Sequence, residues 1–113
     1  MKIYKLLRAD EWAAFQAQRV FSGAPVDLKD GYIHFSTAAQ VRETAAKHFA
    51  GAADLVLAEV DPRLLGAALK WEPSRGGQLF PHLYSPMSLK AVVRTWTLAL
   101  GPDGRHEFPA KIA

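Results

Sequence analysis

The chain has 113 residues, 50% hydrophobic and 22% charged, with a net charge of +3 and no cysteine. That length suits one domain, 1–113, with one core, and the composition lies far from that of disordered chains. Disulfides, thiolate nucleophiles, zinc–thiolate sites and iron–sulfur clusters are excluded by the missing cysteine. Eight basic and eight acidic residues fall between Met1 and Ala67, and six basic and three acidic ones follow from Ala68 onward. The later excess favours an anionic ligand. It forms no Lys/Arg run of the kind that binds nucleic acid through counterion release, so nucleic acid is not an expected partner. Met1-Lys2-Ile3-Tyr4-Lys5 has no signal-peptide core and no apolar run is long enough to span a bilayer, so cytoplasmic residence without membrane contact is expected.

In chain order, residues 2–7 read as a strand, with Ile3, Tyr4, Leu6 and Leu7 suited to a pleated surface. Asp10 is the expected N-cap of a helix that places Trp12, Phe15 and Arg19 at helical spacing and ends near Phe21, before Gly23 and Pro25. A loop through Asp30-Gly31 leads to a short β run, Tyr32-Ile33-His34-Phe35. Thr37-Ala38-Ala39-Gln40 matches the capping-box pattern and opens a second helix through Val41, Thr44, Ala45, His48 and Phe49, ending at Gly51.

Leu55 to Val60 reads as a buried strand, followed by Asp61-Pro62 as the cap and first position of a short turn that Gly66 closes. Ala68 to Glu72 is a further strand and Pro73 to Gly77 a loop. A long strand runs from about Ala91 to Leu100, Pro102-Asp103-Gly104 is a turn, and the tail is either a weak edge strand or loose. Two early helices among many strands with short connections predict an α+β fold with a mixed, mainly antiparallel sheet.

His34 ends a strand just before Ser36 and a capped helix, where backbone donors and a titratable ring can meet one ligand. The same pattern also fits a satisfied half-buried histidine beside a helix cap. Trp71-Glu72-Pro73-Ser74-Arg75-Gly76-Gly77 offers an aromatic plane, a carboxylate, a guanidinium fork and open backbone N–H groups. These suit a phosphate or an adenine, and equally a plain surface turn. In Phe80-Pro81-His82-Leu83-Tyr84-Ser85-Pro86 an extended chain puts His82 and Tyr84 on one face, with core packing the commoner fate of such a tyrosine. His34, His48, His82 and His106 show no metal-ligand spacing, and phosphate-loop, dinucleotide and nucleophile-elbow motifs are missing.

Ile3-Tyr4-Lys5, Asp30-Gly31-Tyr32-Ile33-His34-Phe35-Ser36-Thr37, Trp71-Glu72-Pro73 and Leu79-Phe80-Pro81-His82-Leu83-Tyr84 together resemble the bacterial domain of unknown function 952 family over nearly the whole chain. That family in turn remotely resembles the ADP-ribosyltransferase fold, a split sheet that holds NAD in a cleft. The resemblance implies that Lys5, His34 and His82 stand where such enzymes carry a ribose-binding histidine, a nicotinamide-stacking tyrosine and a glutamate. All three depart from that triad. A histidine stabilises the positive charge of glycosidic cleavage only weakly, which argues against ordinary ADP-ribosyl transfer.

The implied function is binding, with or without processing, of NAD, ADP-ribose or a related phosphorylated nucleotide, with NAD as substrate or ligand and no cofactor required. In that scheme His34 stacks on or bonds the ligand and His82 gives or takes a proton. Lys5 and Arg75 meet ribose or phosphate and Ser36 bonds ribose or amide, while Thr37, Glu72 and Tyr84 complete the candidate binding set. The alternative is a catalytically inactive ligand-sensing or protein-interaction module on the same fold. An RNA-linked role has only the basic later part of the chain in its favour.

Overall fold

A computed structural model describes residues 1–112. It is an α+β structure with strands β1 (Ile3–Leu7), β2 (Val20–Phe21), β3 (Ile33–His34), β4 (Leu55–Val60), β5 (Leu69–Pro73), β6 (Leu79–Leu83), β7 (Met87–Ser88) and β8 (Val92–Leu98). Its helices are α1 (Ala9–Gln18), α2 (Pro25–Asp30) and α3 (Ala38–His48). The strands form two three-stranded sheets, β1-β4-β8 and β3-β6-β5, and a small β2-β7 ribbon. Every pairing among these strands is antiparallel, so the expected mixed sheet is antiparallel throughout the described residues.

Two strands of the first sheet, β1 and β4, are buried on both faces. Ile3, Leu7, Val56, Ala58 and Val60 point into one cluster with Phe15, Phe21, Ile33, Phe35, Leu83 and Met87. Tyr4, Leu6, Leu55 and Leu57 point the other way, against Val41 and Ala45 of α3. This is the two-residue alternation of a strand sandwiched between layers. It accounts for the apolar run from Leu55 to Ala58 in β4.

Three helices stand where two were expected. The missed one, α2, has six residues, too few to show a periodicity, and Pro25 occupies its first turn rather than ending what precedes it. In each helix the third residue reaches back to the cap: the side chains of Glu11, Asp27 and Gln40 accept from the N–H groups of Arg8, Ala24 and Thr37 at 2.9, 2.8 and 3.0 Å. The α1 cap is therefore Arg8, not Asp10, which sits in the first turn. That helix stops at Gln18 because Arg19 turns left-handed (φ 63°), freeing Val20 and Phe21 to pair with Ser88 and Met87.

The last strand starts at Val92, within a residue of the expected position, after Leu89–Ala91 forms a single 3₁₀ turn, and it ends at Leu98. The tail is not loose: Leu100 bridges His106, and Ile112 is fully buried beside α3. Beside the shared core, a backbone bridge ties the first sheet to the segment after β3, where Tyr4 and Ser36 exchange hydrogen bonds of 2.8 and 2.9 Å. β1 and the segment after β3 share no other bridge with one another, and a cleft lined by residues from both opens at this junction.

Candidate functional site

Behind the cleft wall stands Asp27, a residue 2% exposed, which holds the wall residues Lys5 and His34. It accepts both N–H···O bonds of Lys5 Nζ at 3.1 and 2.9 Å, the Ala24 N–H at 2.8 Å and the His34 N–H at 3.1 Å. His34 Nδ1 lies a further 2.6 Å away. Gly23 makes room for this arrangement: it has φ +131°, and a Cβ there would stand 2.9 Å from the Asp27 Cβ. Burial alone would raise the Asp27 carboxyl, but the His34 bond, the Lys5 charge and the Ala24 N–H outweigh it and hold the carboxyl at about 2. Burial likewise pushes the Lys5 ammonium down, with Asp27 opposing that shift.

A folded-state value below the unfolded one stabilises the protein above the unfolded value and ceases to do so as pH falls through the folded one. Asp27 is therefore expected to contribute about 2 kcal/mol at neutral pH, lost between about pH 4 and pH 2. Urea unfolding of the parent and of Asp27→Asn across that range checks this. Their stabilities converge at the acid end on this account, and a constant difference contradicts it.

On the second sheet His34 and His82 are directly opposite in the ladder, so both rings leave the same face. The rings stand 5.6 Å apart, edge to face. His82 Nδ1 is 2.8 Å from Glu72 Oε1, the same oxygen that accepts the Tyr84 hydroxyl at 2.8 Å. The His82 bond, then the Tyr84 bond, pull the Glu72 carboxyl below its ordinary range. Tyr32 stacks on His82 with centroids 4.1 Å apart and also touches His34. No buried side-chain polar atom among the described residues lacks a partner. His82 lines the cleft, and with Nδ1 committed to Glu72 its Nε2 is the ring nitrogen left for a ligand.

The cleft has a volume of about 530 Å³. Lys5, His34, Ser36, Arg75 and His82 lie on its wall together with Arg8, Phe49 and Phe80. Arg75 is held rigidly: Nε donates to Glu43 at 2.8 Å, Nη2 donates to Thr44 Oγ1 at 3.3 Å, and the guanidinium lies 4.9 Å from the centre of the Phe80 ring. Across the cleft Arg8 rests on Phe49 in the same manner, at 5.0 Å. Ser36 Oγ and Thr44 Oγ1 share a 2.9 Å hydrogen bond. The acids on the wall are Glu11, tied to the Arg8 backbone, and Asp30, 2.9 Å from His34 Nε2.

Residues 6–95 match the family model described as protein of unknown function (DUF952). The chain belongs to the DUF952 family. It is similar to protein CC0527 from Caulobacter crescentus, whose X-ray structure shares 50% identity over 95% of this chain and 94% of that one, with a TM-score of 0.92. The solution NMR structure of CC0527 gives 52% identity over 92% and 90% of the two chains and a TM-score of 0.83. No curated protein matches the chain.

Of the residues singled out in this DUF952 sequence, Lys5, His34, Ser36, Arg75 and His82 come together on the cleft wall, and Thr37, Glu72 and Tyr84 do not. Thr37 is occupied in capping α3 through Gln40. Glu72 and Tyr84 stand behind His82 and reach the cleft only through its ring. Asp27, the hub, was missed. It hides in a helix too short to read, although a carboxylate two residues after a helix-starting proline is a legible capping signal. Tyr32 was missed as well, despite lying two residues from His34 and so on the same face of an extended run. No group of three or more potential metal ligands stands together among the described residues, and no helix there is long and apolar enough to cross a membrane.

Proposed function

We propose that the DUF952 cleft binds a phosphorylated nucleotide of the NAD or ADP-ribose kind. The observation that carries this reading is the convergence of Lys5, His34, Ser36, Arg75 and His82, contributed by β1, β3, β6 and the connections beside them, on one cleft of about 530 Å³. That volume lies within the usual range of small-ligand pockets. Arg75 binds phosphate: two of its five N–H donors are fixed by Glu43 and Thr44, which leaves a pre-oriented edge for an anion. Phe49 and Phe80 supply apolar surface for a base or sugar, and His34 contacts the ligand with its partly exposed ring. The ADP-ribosyltransferase resemblance supports the same ligand, since Lys5, His34 and His82 follow one another on β1, β3 and β6 in the order it implies.

One observation favours a second reading, a catalytically inactive sensing or interaction module: the Lys5 ammonium is already engaged by both oxygens of Asp27. Ligand-observed NMR with NAD and with ADP-ribose tests the nucleotide reading. Saturation transfer to either ligand is expected for the parent and is lost in His34→Ala. No transfer at millimolar concentration overturns the reading.

A further inference from the structure

We infer that His34 and His82 act as a general acid–general base couple that hydrolyses a phosphodiester bond in the cleft, an inference that rests on the cleft being a phosphorylated-nucleotide site. Their ladder pairing sends both imidazoles from one sheet face into one cleft, with rings 5.6 Å apart. The two rings are held in different hydrogen-bonding states. His82 faces the Glu72 carboxylate with Nδ1 and is clamped under Tyr32, so in the neutral ring the proton sits on Nδ1 and Nε2 is the accepting nitrogen. His34 has a carboxylate at each nitrogen, Asp27 on the buried side and Asp30 at the surface, and only a ring carrying both protons donates to both. One histidine is thus set to accept a proton and the other to give one.

The charges of the cleft select the bond. Cleaving a glycosidic bond builds up positive charge and needs a free carboxylate. Here Asp27 and Glu72 are each bonded to several donors, Glu11 is tied to a backbone N–H, and Asp30 faces His34. Lys5, Arg8 and Arg75 instead surround the space with donors, which suits the extra negative charge on the non-bridging oxygens of a phosphoryl transition state. In the step, water attacks phosphorus as His82 Nε2 removes its proton. The P–O ester bond breaks, and the leaving oxygen takes the Nε2 proton of His34, displacing Asp30 from it. The products are a phosphomonoester and an alcohol, and proton exchange with solvent restores both rings. Glu72, Tyr32 and Asp27 are positioning residues in this scheme.

Two esters separate the roles. A nucleoside 2′,3′-cyclic phosphate has an alkoxide leaving group that needs the acid, whereas bis(4-nitrophenyl) phosphate releases a phenolate that does not. The intact protein is expected to cleave both. His82→Gln should slow both by about a hundredfold or more, and His34→Gln should slow the cyclic phosphate by a similar factor while changing the nitrophenyl ester by less than about tenfold. Glu72→Gln, at a side chain one-third exposed, serves if either histidine variant melts early; it should lower kcat for both esters about tenfold with KM unchanged. ADP-ribose that binds while neither ester is cleaved overturns the acid–base couple and leaves the binding proposal standing. Cleavage that survives His82→Gln and Glu72→Gln overturns the couple alone, and failure of both binding and cleavage removes the two together.

Discussion

Replacing Asp27 by alanine is expected to destabilise the protein by about 3–5 kcal/mol, the cost of leaving a buried charge without its partner. Lys5 is 5% exposed and has no acceptor among the described residues other than Asp27. The substitution also removes the acceptor for the Ala24 and His34 N–H groups and for His34 Nδ1. Asparagine keeps one carbonyl oxygen for these donors and is expected to lose less. The paired change Lys5→Met with Asp27→Leu removes both charges together, and buried ion pairs replaced in this way often regain stability. Here recovery is expected to be partial, because the two backbone N–H groups remain unsatisfied and each costs on the order of 1–3 kcal/mol. Urea titrations of the four proteins check the order: parent, then Asp27→Asn, then the double variant, then Asp27→Ala as least stable. A double variant as stable as the parent would show that the backbone bonds to Asp27 contribute little.

Arg75→Ala is expected to weaken ADP-ribose binding about tenfold to a hundredfold, corresponding to the roughly 1.5–3 kcal/mol of a charge-assisted hydrogen bond. The fold should tolerate it. Arg75 lies half-buried on the cleft wall, outside the core, and the exposed Glu43 it meets makes an ion pair of small net contribution. Arg75→Lys is expected to recover affinity only in part, because a single ammonium cannot hold Glu43 and Thr44 while presenting a planar edge to phosphate. Arg63, 85% exposed beside Asp61 and away from the cleft, is the matched control, and its alanine variant should bind as the parent does. Calorimetric titration with ADP-ribose distinguishes these cases. Equal losses for Arg63→Ala and Arg75→Ala would mean that net charge, rather than this cleft, attracts the ligand.

How far the sequence could be read followed how local each signal was. β1, β4, the Gln40-capped α3 and the Asp61-Pro62 turn each carry their cue within a few residues, and the structure has them where expected. α2 was illegible for a physical reason. Six residues span less than two helical turns, and exposed Val26 and Leu28 flank the buried Asp27, the reverse of an amphipathic pattern.

The same division holds at the cleft. His34 and Ser36 stood out because a strand-to-helix junction is a local event. That Lys5 reaches Asp27 across 22 positions, or that His34 faces His82 in a ladder, depends on sheet register, which no short window encodes. Thr37, Glu72 and Tyr84 were placed near the ligand by motif proximity. Glu72 and Tyr84 stand instead behind His82, and Thr37 caps α3 through its backbone N–H to Gln40.

The central claim, that this cleft is a nucleotide site, is tested most directly by mapping backbone amide and histidine ring resonances of isotope-labelled protein during titration with ADP-ribose. The account predicts saturable shifts confined to Lys5, His34, Ser36, Arg75, Phe80 and His82 and their immediate neighbours, with the surface around Lys2, Asp61 and Arg63 unmoved. Shifts centred on that second surface, or none at millimolar ligand, would contradict it.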